Sequence, residues 1–125
     1  MPIPWRSDGT SFGFGPGGSH LPQPAWFADL SVEAQQDDPA STLELYRRAL
    51  GVRRGLAGAE RLAWSPAERD DVVRFSRHGG WEVVINFGDV PAPMPAGEVL
   101  VTSGPLRGGM LPAETAVWLR VAAPA

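Results

Sequence analysis

The fold of the second half of the chain is decided by residues 73–87, which read VRFSRHGGWEVVINF. Val73 and Phe75 alternate with polar side chains, and after His78-Gly79-Gly80 the alternation resumes at Trp81. Apolar side chains at every second position are typical of a strand with one buried face. Two such runs joined by a glycine-containing turn predict an antiparallel β-hairpin over these residues.

Further strands flank this hairpin. Short strands are predicted at Leu62 to Trp64 before it, and at Glu98 to Ser103 and Thr115 to Val121 after it. Residues 90–95 contain three prolines, which cannot donate to a ladder, so they predict an edge or polyproline segment. The predicted fold class is mainly β: a small antiparallel β-sandwich of five or six strands, preceded by a long ordered loop and one α-helix.

The α-helix is predicted from Asp38 to Gly55. Asp38 can cap it, Pro39 suits its first position, and Gly55 suits its C-terminal end. The apolar positions that repeat with helical spacing are Leu43, Tyr46 and Leu50. With the apolar residues beside them, they form a face that is broader than a lone surface helix needs.

Residues 1–30 show neither the apolar spacing of a helix nor that of a strand, and they contain many glycines and prolines. Five aromatic residues lie among them: Trp5, Phe12, Phe14, Trp26 and Phe27. Disordered linkers are poor in aromatic residues, so this segment is predicted to be an ordered loop. We expect Trp26 and Phe27 to be buried, and Trp5, Phe12 and Phe14 to lie near a cleft, where their rings could stack on sugars.

Composition excludes several classes of function. The chain has 125 residues, a formal net charge of -3 and no cysteine. It has no basic cluster for nucleic acid, no thiolate nucleophile or cysteine metal site, and no apolar run of 18 residues for a membrane span. No cofactor and no metal are predicted, and a cytoplasmic location is expected.

Histidine and the glycine-rich segment give no catalytic pattern. His20 and His78 lack a second histidine at a metal-ligand spacing. His78 is predicted to lie in the hairpin turn. His20 is predicted to lie in the ordered loop of residues 1–30, where it could hydrogen-bond a polar ligand. Residues 13–19, GFGPGGS, are not followed by the Gly-Lys-Ser/Thr of a phosphate loop, and no strand is predicted before them.

Paired carboxylates are the requirement for glycoside hydrolysis. Asp37-Asp38 and Asp70-Asp71 are adjacent in sequence, so their side chains diverge, and they are interpreted as a helix cap and a turn. Glu33 is the isolated acid near the ordered loop of residues 1–30, and it is a weaker candidate for ligand contact than Trp5, Phe12 and Phe14.

An ordered series of short motifs resembles a known family. These are Pro2-Ile3-Pro4-Trp5, Gly13-Phe14, Leu21-Pro22, Val32-Glu33-Ala34-Gln35, Asp38-Pro39 and Leu45-Tyr46-Arg47-Arg48. The series resembles the end of the catalytic barrel of bacterial α-glucosidases of the α-amylase superfamily, glycoside hydrolase family 13, a group that includes oligo-1,6-glucosidases and trehalose synthases. Residues 84–88 and 97–100 resemble strands of the C-terminal β-domain of that family.

The resemblance implies two domains: residues 1–55 as the last barrel loop and helix, and residues 56–125 as the C-terminal β-sandwich. In that family the nucleophile, the acid/base and the third carboxylate lie at the ends of earlier barrel strands, upstream of the matching region. The chain is therefore expected to carry no catalytic residue. Trp5, Phe12 and Phe14 would line the substrate site, and an α-glucoside or maltooligosaccharide would bind only within a complete barrel.

Two further expectations follow. The helix face of Leu43, Tyr46 and Leu50 would belong against barrel strands, so the isolated chain is expected to self-associate through it. The alternative function is a free-standing carbohydrate-binding or protein-assembly β-sandwich module. That module would need a flat row of exposed aromatic residues from Trp64, Trp81 and Trp118, whereas alternation places Trp81 with Val83, Ile85 and Phe87 on a predicted core face.

Overall fold

The computed structural model describes residues 2–56, 61–77 and 79–121. The chain divides into two compact units, Met1–Arg47, called the N-terminal unit, and Arg48–Ala125, called the sheet unit. Among the described residues, no helix is long and apolar enough to cross a membrane.

The N-terminal unit is an ordered loop with short helical turns. It contains 3-10 turns at Thr10–Gly13 and Ala25–Phe27 and a short helix α1 at Val32–Gln35. The Val32 amide donates to the Pro4 carbonyl at 3.0 Å, and the Glu33 amide donates to the Trp5 carbonyl at 3.0 Å. These bonds join the start of the chain to α1, because the first amides of a helix have no partner within it.

The predicted helix is present, but its start differs from the prediction. Helix α2 spans Thr42–Gly55, and Ser41 rather than Asp38 caps it: the Ser41 hydroxyl accepts from the Glu44 amide at 3.2 Å. The Asp38 carboxylate instead accepts from the Ala40 amide at 2.9 Å, which is a local turn. Ser41 and Glu44 have the spacing of a capping box, a signal the sequence contained and the prediction overlooked.

The described part of the sheet unit contains seven strands: β1 at Leu62–Trp64, β2 at Val72–Arg77, β3 at Trp81–Asn86, β4 at Ala92–Pro93, β5 at Glu98–Thr102, β6 at Met110–Leu111 and β7 at Thr115–Arg120. Five of them form one antiparallel sheet in the order β1-β2-β3-β7-β5, and β4 pairs with β6 in a second sheet. The mainly β fold class is therefore confirmed.

The hairpin that decided the fold is β2 and β3, and its register pairs Val73 with Ile85 and Phe75 with Val83. Gly79 and Gly80 follow at φ angles of 110° and 72°, which favour glycine because it has no Cβ. His78 lies outside the described residues. Strand β6 was not predicted, because a two-residue strand carries no detectable period.

Strand β3 is buried on both of its faces. Val84, Val117 and Leu119 are buried with Leu111, and Val72, Met94 and Leu106 pack against them. Trp81 and Val83, on the opposite face, are buried as predicted. Phe87 is 66% exposed because it follows the end of β3, where the sheet no longer covers it.

Asn86 connects the two sheets. It is fully buried, and its amide nitrogen lies within hydrogen-bond distance of the carbonyls of Val90, Leu111 and Pro112. Its side-chain oxygen accepts from the Gly88 amide at 3.0 Å. The segment of residues 90–95 meets the prediction of an edge, since only Ala92 and Pro93 pair, with Leu111 and Met110.

Candidate functional site

The candidate site is the aromatic loop of the N-terminal unit, defined as residues 4–14. The Phe12 carbonyl accepts two hydrogen bonds, from the Trp5 amide at 2.8 Å and the Arg6 amide at 3.0 Å. The loop therefore turns back on itself and brings Trp5 close to Phe12 in space, although seven positions separate them. This fixes the backbone that carries the predicted substrate-lining rings.

The turn of this loop has a strained backbone. Ser11 and Phe12 have φ angles of 51° and 48°, in the left-handed region that costs energy for side chains with a Cβ. At Gly13, φ is 75°, and a Cβ there would lie 2.8 Å from Cγ of Arg6. Strained backbone of this kind occurs more often at functional sites than elsewhere.

Burial separates the five aromatic residues of the N-terminal segment. Trp5 is 50% exposed and Phe14 is 57% exposed, while Phe12 is half-buried with its ring centroid 6.2 Å from that of Phe27. Phe27 is buried as predicted.

The prediction that Trp26 is buried is wrong, because it is 55% exposed. Its ring meets Phe27 edge to face at 4.6 Å. The 3-10 turn Ala25–Phe27 is only three residues long and buries one side, which Phe27 occupies.

Glu33 lies beside this loop and is bound to it. Its carboxylate accepts from the Ser7 amide at 2.9 Å and from the Ser7 hydroxyl at 2.8 Å. These two hydrogen bonds, assisted by the positive charge of Arg6, lower the pKa of Glu33 below 4.5. An ionised carboxylate cannot give a proton to a leaving group, so Glu33 is suited to hold the loop and unsuited to act as a general acid.

His20 and Asp71 are two further polar residues considered from the sequence. His20 is exposed, and Asp71 forms an ion pair with Arg69 in the sheet unit, where its Oδ1 accepts from Arg69 Nε at 2.8 Å. This hydrogen bond lowers the pKa of Asp71 and raises that of Arg69. Within residues 2–56, 61–77 and 79–121, no group of three or more His, Cys, Asp or Glu side chains could hold a metal ion.

The sheet unit has a cavity of its own. It is about 180 Å³ in volume and is lined by Pro66, Glu68, Arg74, Val84 and Met94, among others. Arg74 makes a bidentate ion pair with Glu82, whose side chain is 4% exposed. The guanidinium of Arg74 is therefore engaged within the protein, and the rest of the lining combines apolar side chains with the charged residues Glu68 and Arg69.

Sequence reasoning missed the contact between Ser7 and Glu33. The two residues are 26 positions apart and follow no period, so the sequence contained no signal for it. The repeated left-handed conformation at Ser11 and Phe12 was also invisible, since neither residue type prefers it.

Solved structures with the same fold include a synthase and a hydrolase. A variant of trehalulose synthase in complex with Tris matches with a TM-score of 0.76 and 21% sequence identity, over 98% of this chain and 25% of that chain. Trehalose-6-phosphate hydrolase from Bacillus licheniformis matches with a TM-score of 0.72 and 14% identity, over 94% of this chain and 25% of that chain. No protein-family model matches the chain, and no curated protein matches it.

The chain thus spans about a quarter of the length of the structures it matches. At this level of identity the matches establish the fold. The resemblance predicted from the ordered motifs is confirmed as a likeness of fold to part of these two chains.

Proposed function

We propose that the chain is the non-catalytic C-terminal portion of an α-glucosidase of the α-amylase family, acting in the cytoplasm. In this proposal residues 1–55 form the last barrel loop and helix, and residues 56–125 form the β-domain. The chain completes and stabilises the barrel and supplies one loop of the active site. The observation that carries the proposal is the match of 98% of this chain to a quarter of the trehalulose synthase chain.

The aromatic loop supports a role at the substrate site. Trp5 and Phe14 keep half or more of their surface exposed on a loop whose backbone is fixed by the Phe12 carbonyl. Exposed rings on a rigid loop can stack on the C–H faces of a sugar with little loss of entropy. Trp5, Phe12 and Phe14 remain the proposed substrate-lining residues.

The face of helix α2 supports the barrel-completing role. Tyr46 is 63% exposed, Leu50 is exposed and Leu43 is half-buried, although all three have the spacing of a core-facing stripe. In the isolated chain this face is expected to drive self-association. Sedimentation should show oligomers that Leu50→Ser reduces and that Val90→Ser, at an exposed position of the sheet unit, leaves unchanged; a strictly monomeric chain at high concentration contradicts this.

The experiment measures the activity of the isolated chain and of one mixture. We call the part of the trehalulose synthase chain that has no counterpart here the synthase remainder, made as a separate polypeptide. The isolated chain should release no glucose from maltose, isomaltose or an aryl α-glucoside, whereas the chain mixed with the synthase remainder should hydrolyse the aryl α-glucoside.

Variants locate the effect. Phe14→Ala should lower kcat/KM of the mixture by about tenfold, since loss of one stacked ring costs about 1 kcal/mol or more. Leu21→Ala, at an exposed position of the same segment, should leave it unchanged. Turnover by the isolated chain, or an inactive mixture in which the two polypeptides are bound, overturns the proposal.

The alternative is a carbohydrate-binding or assembly module. Trp64 is exposed and Trp118 is half-buried, and both lie on the side of the sheet away from the core cluster, which is the observation in its favour. Titration of the isolated chain with maltooligosaccharides separates the two functions: quenching of tryptophan emission at millimolar sugar supports the module, and no change supports the enzyme portion.

A further inference from the structure

The aromatic loop contains the dipeptide Asp8-Gly9, and no other aspartate or asparagine of the chain is followed by glycine. In such a dipeptide the backbone nitrogen of the glycine can attack the side-chain carboxyl group of the aspartate, because glycine has no Cβ to hinder the approach. The attack closes a five-membered ring within one chain, so it needs no encounter with a second molecule. The surroundings of the two residues decide whether the folded chain can react.

The carboxyl group of Asp8 is exposed and weakly held. Its side chain is 82% exposed, and its contact with the guanidinium of Arg6 measures 4.0 Å from Nε to Oδ1. That distance is too long for a hydrogen bond. By contrast, the carboxylate of Glu33 accepts two hydrogen bonds from Ser7, which fix its position. The Asp8 side chain is therefore free to turn its carboxyl carbon towards its own peptide bond.

The amide nitrogen of Gly9 is also accessible. The Gly9 carbonyl accepts from the Phe12 amide at 3.2 Å, whereas the Gly9 amide has no hydrogen-bond partner among the described residues. A Cβ built on Gly9 would have no atom within 4 Å, and residues 5–10 are all exposed. The φ angle of 80° at Gly9 costs glycine no strain. These surroundings leave room for the nitrogen to approach the carboxyl carbon.

We propose that Asp8-Gly9 is a site of spontaneous covalent modification, at which the folded chain converts Asp8 to isoaspartate through a succinimide. The Gly9 nitrogen forms a bond to Cγ of Asp8 and gives up its proton, the carboxyl group gives up a hydroxyl group, and one water molecule leaves. Water then opens the ring. Opening at the α-carbonyl carbon yields isoaspartate, whose main chain runs through Cβ and Cγ, and opening at Cγ restores aspartate. No oxidant, reductant or cofactor takes part.

The modification would lengthen a backbone segment that is fixed at both ends. On one side, the carboxylate of Glu33 holds the amide and the hydroxyl of Ser7. On the other side, the Phe12 carbonyl holds the amides of Trp5 and Arg6. An additional carbon–carbon bond in the main chain adds about 1.5 Å between these points. We expect the modified loop to lose the Ser7–Glu33 contact, while its net charge is unchanged because isoaspartate keeps one carboxylate.

The test is prolonged incubation of the full chain at physiological temperature in mildly acidic buffer. Isoaspartate is located by fragmentation mass spectrometry of tryptic peptides, and its amount is measured as methyl transfer from S-adenosylmethionine by protein isoaspartyl methyltransferase. Isoaspartate at Asp8 should exceed that at Asp89 at least tenfold, and a species one water lighter should precede it. Asp89 is the matched control because it is also exposed, but it is followed by valine.

Variants separate the chemistry from the exposure of the loop. Asp8→Asn should form isoaspartate at least tenfold faster than the native chain at neutral pH, because ammonia leaves the amide more readily than water leaves the carboxyl group. Asp89→Asn, next to the branched Val90, should react at least tenfold more slowly than Asp8→Asn. Asp8→Glu keeps the charge and should abolish the reaction at this position, because a six-membered ring closes more slowly. Circular dichroism confirms that these three exposed variants fold.

The outcomes are distinguishable. Absence of isoaspartate at Asp8 in the folded chain overturns the inference, even if the same chain forms it when unfolded in urea. Equal conversion at Asp89 overturns it too, because it removes the role of the glycine. The Ser7 amide signal in NMR should move in the modified chain, and an unchanged signal overturns the predicted loss of the Glu33 contact. The modification does not depend on the proposed function: full activity of the modified chain with the synthase remainder would contradict the proposed role of the aromatic loop and leave the modification standing.

Discussion

The N-terminal unit and the sheet unit are stabilised by different forces. Among the described residues of the N-terminal unit, Phe27 is the one buried hydrophobic side chain, and the others that are buried are Ser11, Ser31 and Ser41. The sheet unit buries Leu111, Val117 and Leu119 completely. Hydrogen bonds to backbone and serine groups therefore stabilise the N-terminal unit, and burial of apolar side chains stabilises the sheet unit. We expect the sheet unit to depend less than the N-terminal unit on contacts with any further partner.

The largest expected effect tests this contrast with one substitution in each unit. Leu119→Ala should lower the free energy of unfolding by about 3 kcal/mol, since it removes a fully buried side chain and leaves a cavity. Leu30→Ala, at an exposed leucine of the N-terminal unit, should change it by less than about 0.5 kcal/mol. Urea denaturation measures both, and equal losses would show that the two units do not differ in this way.

A second prediction compares a partly buried ion pair of the sheet unit with a surface ion pair of the N-terminal unit. Arg74→Met leaves the nearly buried Glu82 carboxylate without its partner and should cost about 2 kcal/mol, a value below that of a fully buried pair because Arg74 is one-third exposed. Arg47→Met removes the pair with Glu44 on the surface of α2 and should cost about 0.5 kcal/mol or less. Arg74→Met combined with Glu82→Gln should recover part of the loss; no recovery would mean that the charge on Glu82 is not the cause.

The smallest effect is the pH dependence of the two lowered carboxylate pKa values. Hydrogen bonds from Ser7 lower the pKa of Glu33, and those from Arg69 lower the pKa of Asp71. Both groups bind protons more readily when unfolded, so their contribution to stability is complete above their ordinary pKa values of 4.5 and 3.8. It is lost as the pH falls through the lowered values of the folded protein.

NMR titration follows the protonation of Glu33 and of Asp71 through separate signals. The Ser7 amide signal should move as Glu33 is protonated, at a pH below 4.5, and the Arg69 Nε–H signal as Asp71 is protonated, at a pH below 3.8. Glu33→Gln should abolish the first titration and leave the second. A Ser7 signal that titrates at or above the ordinary value would contradict the hydrogen bonds that hold the aromatic loop.

Prediction from sequence was most successful where local pattern and burial agree. The alternation around Gly79-Gly80 predicted β2 and β3, and the spacing of Leu43, Tyr46 and Leu50 predicted α2. It failed where the outcome depended on which neighbour covers a side chain. Trp26 and Phe27 are adjacent and chemically alike, yet only Phe27 is buried.

The candidate site was less predictable than the fold. The aromatic loop was predicted, but its shape depends on the Ser7–Glu33 contact and on left-handed Ser11 and Phe12, none of which follows from residue preference. The burial of strand β3 on both faces was also not predicted. Residues 81–84 are all buried, whereas alternation of apolar and polar residues predicts one buried face.

The sequence by itself determined the strands, the helix and the absence of thiol and cysteine-ligand chemistry, because period, glycine placement and composition act locally. The tertiary structure alone decided which side of the sheet the second sheet covers, that five apolar residues from five strands align in one row, and that Ser7 lowers the pKa of Glu33. These features arise from contacts between residues far apart in the chain, and such contacts depend on strand order and register, which no local pattern specifies.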